Sequence, residues 1–496
     1  MDLLANLALG FSISLSPMNL GLALLGALLG TAVGVLPGLG PAATISLLLP
    51  VTLGLNHTSA IIMLAGIYYG AMYGGSITAI LVRIPGEAAS VVTCLDGYEM
   101  ARRGRAGAAL GISAFGSFIA GVFATLGVAL VGPSLAQTAL AFGPIEKASL
   151  VLFGLVLVAG VGSGTRPRAY AMIALGLLLS SVGIDLVTGT ERFTFGTAYL
   201  RDGINIAVMA MGLFGISEVL MLAERQLRSA NALSYGKSLR DLLPTRQDWK
   251  DSAMPIGRGT VLGFFLGLLP GGGAMISSFM SYLLEKRLSP TPERFGQGAI
   301  EGVAGPESAN NAAAQSSFVP LLCLGIPANA VIGIIMGAFI LHGISPGPRL
   351  IVEHPGLFWG VVTSMFLGNL MLVVLNVPLI GLFVSLLRVP QALMAPLIVM
   401  FCAIGAYSLN NSAQDVLSMA TFGLAGYALR KAGFELAPLL LAFILGSLLE
   451  QSVKQGLLIG YGNPLVFFQK PISAVILTIT ICVLLWPLAK RFLRRA

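Results

Sequence analysis

What most constrains this chain is the recurrence of apolar stretches long enough to cross a lipid bilayer, which takes about 20 residues apiece. They fall near 17–36, 58–82, 107–133, 145–163, 169–187, 203–224, 307–341, 357–387, 390–408, 415–429, 435–453 and 471–489. Two more, 38–50 and 259–284, are too interrupted by Gly and Pro to be plain spans. Only 10% of the 496 residues are charged and mean hydropathy is +0.88. A soluble domain carries roughly 25% charged residues, and so few charges cannot cover a globular surface of this size. Soluble, disordered and coiled-coil classes are thereby excluded. The expectation is an all-α polytopic, multi-pass membrane protein with about 11–14 membrane segments.

The formal charge of +8 is read as Lys and Arg on the cytoplasmic side. Arg102, Arg103 and Arg105 mark one such loop, Arg166 and Arg168 another, and 225–258 holds seven basic residues. Lys286, Arg287 and Arg294, then Arg430 and Lys431, then the tail, complete the set. Loops 50–57, 133–144 and 409–414 have no Lys or Arg and belong outside. Basic residues clustered among aromatics are not found at the density nucleic-acid binding requires, so no nucleic-acid partner is expected. The N-terminus lacks the basic region of a cleavable signal peptide. Cys94, Cys323, Cys402 and Cys482 form no close pair and read as small hydrophobes.

Segment 259–284 lies between two cytoplasmic loops. Each arm of about 13 residues gives roughly 20 Å of helix, short of a ~30 Å core. It is expected to be a re-entrant hairpin with its tip at Leu269-Pro270-Gly271-Gly272-Gly273.

The two halves resemble each other. Gly30-Thr-Ala-Val-Gly34-Val-Leu-Pro37-Gly38-Leu-Gly40 matches Gly263-Phe-Phe-Leu-Gly267-Leu-Leu-Pro270-Gly271-Gly-Gly273 at an offset of 233. Ile84-Pro85-Gly86-Glu87-Ala88 matches Ile326-Pro327-Ala328-Asn329-Ala330 at an offset of 242. Gly215…Glu218 and Gly446…Glu450 form a weaker echo. Loop charge reverses between matching loops, and an odd number of crossings separates the halves. This points to two inverted-topology repeats with re-entrant hairpins, a plan common among secondary transporters. The boundaries are 1–224 for the first repeat, 225–258 for a cytoplasmic linker, 259–469 for the second repeat, and 470–496 for a C-terminal helix with a basic tail.

A Pro-Gly break inside a bilayer frees backbone groups, so it survives only where protein or a wet cavity satisfies them. Pro37, Gly38, Leu39, Gly40 and Pro41 precede Ala42-Ala43-Thr44, which can start a half-helix whose amides and dipole favour an anion. Gly271, Gly272, Gly273 and Ala274 repeat the arrangement. The bland alternative is close helix packing through small residues. Ser76, Thr78, Asn310, Asn311, Pro327 and Asn329 complete the expected substrate-binding set. Gly75, Gly86, Glu87, Glu307, Gln315 and Ser316 are the expected cation-binding set, since carboxylates, amide oxygens and freed carbonyls suit Na⁺. The asparagines could equally be helix glue. Arg83 either meets a substrate carboxylate or snorkels to the surface. Glu301, like Glu307, is a proton or cation candidate unless it sits at the interface.

Enzyme signatures are weak. His57, His342 and His354 have no metal-ligand spacing. Gly236-Lys237-Ser238 echoes a phosphate loop, but Asn231 stands where that loop requires Gly. No enzyme activity, resident cofactor or metal beyond Na⁺ is expected. A passive organic-anion channel and an intramembrane lipid enzyme are the rival readings.

The motifs resemble those of the large membrane subunit of the bacterial tripartite tricarboxylate transporters. The likeness rests on Gly34-Val-Leu-Pro37-Gly38-Leu-Gly40-Pro41, Tyr69-Gly70-Ala-Met-Tyr73-Gly74-Gly75-Ser76, Ile84-Pro85-Gly86-Glu87, Gly305-Pro306-Glu307-Ser308-Ala-Asn310-Asn311 and Lys470-Pro471-Ile472-Ser473. The resemblance implies a carrier in the bacterial inner membrane that imports a di- or tricarboxylate or related organic anion. It implies two partners, a periplasmic solute-binding protein and a small membrane subunit of about four helices, with Na⁺ or H⁺ as coupling ion. An elevator-like displacement is compatible with the repeat plan. Gly272 and Ala274 replace the Leu39 and Pro41 of the first tip, so the two tips need not do equal work.

Overall fold

The computed structural model describes residues 3–36, 40–161, 165–185, 188–224, 233, 239–271, 273–387 and 391–493. The first half comprises α1 (Leu3–Ser14), α2 (Pro17–Val35), α3 (Pro41–Thr52), α4 (His57–Val82), α5 (Thr93–Met100), α6 (Ala106–Leu140), α7 (Pro144–Val161), α8 (Arg166–Ser180), α9 (Ile206–Ala210) and α10 (Ser217–Glu224). After α11 (Leu239–Leu242) come α12 (Arg246–Gly267), α13 (Gly273–Leu288), α14 (Glu301–Ser316), α15 (Phe318–Leu324), α16 (Ala330–Leu341), α17 (Leu350–Glu353) and α18 (Pro355–Asn376). The chain ends with α19 (Ile380–Leu386), α20 (Gln391–Asn410), α21 (Ala413–Lys431), α22 (Leu436–Ile459), α23 (Val466–Gln469) and α24 (Pro471–Leu493). Pro17, Pro41 and Pro355 sit in first turns, where a missing N–H is harmless. Asn56 caps α4 through Ser59 N, and Thr245 with Asp248 forms the capping box of α12.

The protein is an all-α membrane protein, apart, among the described residues, from one short ribbon pairing Gly183–Ile184 with Glu191–Arg192. Among the described residues six helical stretches are long and apolar enough to cross a membrane: Pro17–Val35, His57–Val82, Thr93–Leu140, Ile206–Glu224, Pro355–Asn376 and Leu436–Ile459. The remaining apolar sequence is cut into shorter pieces. The stretch 307–341 is three helices, because Gly325 (φ 70°) turns the chain and Pro327 cannot continue a helix. The stretch 357–387 is divided after Asn376. The expected loop marked by Arg102, Arg103 and Arg105 is instead helical, bent at Gly104 (φ 78°) between α5 and α6. The hairpin around 259–284 is longer than expected, since α12 and α13 extend through their polar ends from 246 to 288. Cys94, Cys323 and Cys402 are buried, whereas Cys482 is exposed on α24.

The helix-body glycines explain the tightest packing. A Cβ on Gly26, Gly30 or Gly34 would strike the carbonyl oxygen of Met63, Ile67 or Ala71, each at 2.3 Å, so α2 lies directly on α4. A Cβ on Gly259, Gly263 or Gly267 would strike the carbonyl oxygen of Gly305, Ala309 or Ala313, and α12 lies on α14 in the same way. These six contacts reproduce, residue for residue, the sequence offsets of 233 and 242. The numbering rises together in each pair, so α2 is parallel to α4 and α12 to α14. Tyr68 meets Phe318 and Ser76 meets Glu307, so α4 runs antiparallel to α14 and α15. From Thr58 to Leu81 every residue of α4 is buried, which makes it a central helix with no free face.

The second hairpin is pinned at its base by Arg258, which donates from Nε to Glu285 at 2.8 Å. Loops read as cytoplasmic contact one another: Arg105 pairs with Asp248, Arg168 donates to the Gly433 carbonyl at 3.2 Å, and Lys431 pairs with Glu224 at 2.6 Å. On other loops His57 approaches His354, and Tyr199 donates to Asp415.

Candidate functional site

Two chain breaks frame the site. Arg83 ends α4 in the left-handed region (φ 60°), and Glu87 then caps the single turn 88–91, accepting from Ala89 N at 2.7 Å. At the same offset of 242, Gly325 ends α15 and Asn329 caps α16, accepting from Ile332 N at 3.0 Å. Each break is seated on its own hairpin. A Cβ on Gly86 would lie 1.9 Å from the Gly34 carbonyl oxygen, so only glycine lets the break touch the end of α2. In the second half Gly271 N donates to the Ala328 carbonyl at 2.7 Å.

The caps reach across the halves. Asn310 on α14 donates to the Glu87 carboxylate at 3.3 Å, and Asn329 donates to the Tyr68 hydroxyl on α4 at 3.0 Å. Residues 68 and 310, like 87 and 329, are one repeat apart, so this is the same contact made twice with the halves exchanged. The hairpin arms follow suit: α13 packs against residues 88–91 and α3 against α16.

Pro37, Gly38, Leu39 and Gly272 lie outside the described residues. Gly40 and Pro41 start α3, and a Cβ on Gly40 would meet nothing within 4 Å. Thr44 turns its hydroxyl back to the Gly40 carbonyl. Gly271 (φ 79°) and Gly273 (φ 48°) keep the second tip bent, with Ala274 in the first turn of α13. Gly40, Thr44, Gly271, Gly273, Glu87 and Asn329 are all half-buried, unlike the closely packed helix bodies. Glycine thus serves close packing along the helices and leaves space at Gly40.

Gly75 makes room for Glu87, whose Cγ would lie 2.8 Å from a Cβ there. Glu307, 1% exposed, accepts from Ser76 at 2.5 Å, from Thr93 and from Ser113. Asn311 donates to Ser117 at 2.7 Å and Gln315 to Asn369 at 3.5 Å. The side-chain oxygens of Asn310, Asn311 and Gln315 are buried without partners. Thr78 and Ser316 direct their hydroxyls to carbonyls of their own helices, Gly75 and Ala313. Pro327 is buried within the second break. The expected residues therefore gather on α4, α14 and the two breaks. Glu301 lies apart, paired with Arg294 at 3.5 Å, and Arg83 is exposed over the Tyr98 ring.

Tyr68, Thr93, Ser113, Ser117 and Asn369 were not singled out from sequence. Asn369, one of two amides in an apolar span, carried a usable signal. Asp96 gave none, yet it accepts from Gly296 N, Gly298 N, Ala299 N and Tyr282, tying α5 to the loop before α14.

The model of the tripartite tricarboxylate transporter TctA family matches residues 20–441. The chain belongs to that family. It is 51% identical over 480 residues, 97% of this chain and 95% of the relative, to an uncharacterised 52.8 kDa protein from the TAR-I ttuC′ 3′ region of Agrobacterium vitis. An uncharacterised protein from the TAR-II ttuC′ 3′ region of the same organism is 54% identical over 224 residues, 45% of this chain and 93% of the relative. No solved structure matches. TctA membership makes this a subunit of a multi-component tricarboxylate transporter.

Proposed function

We propose that this TctA-family subunit is a secondary active carrier importing a di- or tricarboxylate or related organic anion across the bacterial inner membrane. It receives substrate from a periplasmic binding protein, works with a small membrane subunit, and is driven by Na⁺ or H⁺. The anion sits between the tips 36–44 and 269–278, held by the amides opening α3 and α13. Ser76, Asn310, Asn311 and Asn329 flank it, and Glu87 and Glu307 answer to the coupling cation. The observation that carries this reading is the exchanged pair of contacts, Glu87 with Asn310 and Asn329 with Tyr68. Two inverted repeats supply one tip and one break from each side, and the antiparallel run of α4 against α14 and α15 supports that plan. Alternating access moves one set of hairpins against the other, in the manner of an elevator.

Counterflow in proteoliposomes holding this chain, its small subunit and binding protein is the test. Saturable uptake with trans-stimulation is expected. Linear, unstimulated flux means a passive channel and overturns the carrier reading.

A further inference from the structure

Beside Glu307 lies a small cavity of about 10 Å³ walled by Tyr73, Ser76 and Ile77 of α4, Leu110, Ser113 and Ala114 of α6, and Asn376 and Ile380 at the α18–α19 junction. Its walls leave room for roughly one water-sized occupant. The Tyr73 hydroxyl and the Asn376 side-chain oxygen are both buried and have no hydrogen-bond partner. The Asn376 orientation follows from its amide, which donates to the Leu372 carbonyl at 2.9 Å and leaves the oxygen free. Ser76 and Ser113, the two wall hydroxyls, both hold the Glu307 carboxylate. Among the described residues Glu307 makes no ion pair with Lys, Arg or His. A carboxylate so buried either takes up a proton or has a positive charge close by. Four neutral oxygens around one negative charge suit a small monovalent cation, whereas a divalent ion gathers several carboxylates.

We infer that this cavity is a sodium site, with Tyr73, Ser76, Ser113 and Asn376 as oxygen ligands and Glu307 as counter-charge. The site shares Ser76 and Glu307 with the proposed transport path and adds Tyr73, Ser113 and Asn376 to it. Its role as coupling site rests on the carrier reading above, but its occupancy does not. Neither Tyr73, Ser113 nor Asn376 was expected from sequence as a cation ligand, since the contributing helices lie far apart in the chain.

The experiment uses the full chain in detergent at constant ionic strength, exchanging Na⁺ for K⁺ or N-methylglucamine, with thermal unfolding and calorimetric Na⁺ titration as readouts. Na⁺ alone is expected to raise the melting temperature. Asn376→Ala and Ser113→Ala are expected to weaken Na⁺ binding at least tenfold, each read as loss of the Na⁺-dependent rise above that variant's own melting temperature in K⁺. Glu307→Gln is expected to abolish the Na⁺ response, and the two milder variants keep the test decisive if it does not fold. A melting temperature indifferent to Na⁺ overturns the proposal, as does an Na⁺ response unchanged in Asn376→Ala. A response to acid pH without one to Na⁺ overturns it in favour of a protonated Glu307. Na⁺ binding as expected, with no anion uptake by the reconstituted complex, leaves this site standing and fails the carrier reading.

Discussion

Asn310 donates to Glu87 at 3.3 Å across the boundary between the halves, and one repeat away Asn329 and Tyr68 make the exchanged contact at 3.0 Å. A helix cap ordinarily serves its own helix. Here each cap also bonds to a helix of the other half, which ties each break to both halves.

Asn310→Ala and Asn329→Ala are therefore expected to cut uptake at least tenfold. Asn329→Ala also loses a cap, at a cost of about 1 kcal/mol. Expression and gel-filtration profiles should stay normal. Wild-type uptake by both variants would remove the exchanged contacts from the transport path.

Glycine substitutions separate packing from function. Gly30→Ala and Gly263→Ala drive a methyl into the Ile67 and Ala309 carbonyls and should destabilise by about 1–3 kcal/mol or more. Gly40→Ala meets open space at an ordinary φ of −65° and should stay within about 0.5 kcal/mol of wild type. Thermal melts in one detergent compare them directly.

Asp96 gathers three backbone amides and the Tyr282 hydroxyl. Asp96→Ala strands those donors, at roughly 1–3 kcal/mol for each one left buried. Tyr282→Phe should cost about 1 kcal/mol. Limited proteolysis should find the 289–300 loop cleaved faster in Asp96→Ala than in Tyr282→Phe.

Arg83 holds a left-handed conformation where its counterpart is Gly325. Arg83→Gly removes a backbone cost of about 1–2 kcal/mol and should raise the melting temperature. If the guanidinium serves the anion, uptake falls in the same variant. Raised stability with unaltered uptake would make Arg83 a surface group only.

Opposite entry of the two hairpins is read by labelling. In a background without native cysteines, a single cysteine at Gly54 should react with an impermeant maleimide from outside the cell. One at Ser289 should react only after the membrane is opened. Labelling of both from one side would refute the inverted arrangement.

Sequence alone determined the class, the pairing of the halves and the position of the breaks, because each is written in local chemistry. Apolar length forces a membrane, and Pro with Gly marks the breaks at 84–86 and 325–327, although Gly132-Pro133 and Gly305-Pro306 continue inside α6 and α14. The offsets of 233 and 242 survive intact as contacts between Gly30 and Ile67 and between Gly263 and Ala309. The unbroken reading of 307–341 failed because hydropathy does not register the turn at Gly325, which depends on a single positive φ. Which polar residues meet was decided by tertiary structure alone. Ser76 and Glu307 are 231 residues apart, and Thr93 joins them only because α4, α5 and α14 converge. Without water in a bilayer the backbone must satisfy its own polar groups, and which side chains then meet rests on how helices cross, which no local pattern encodes.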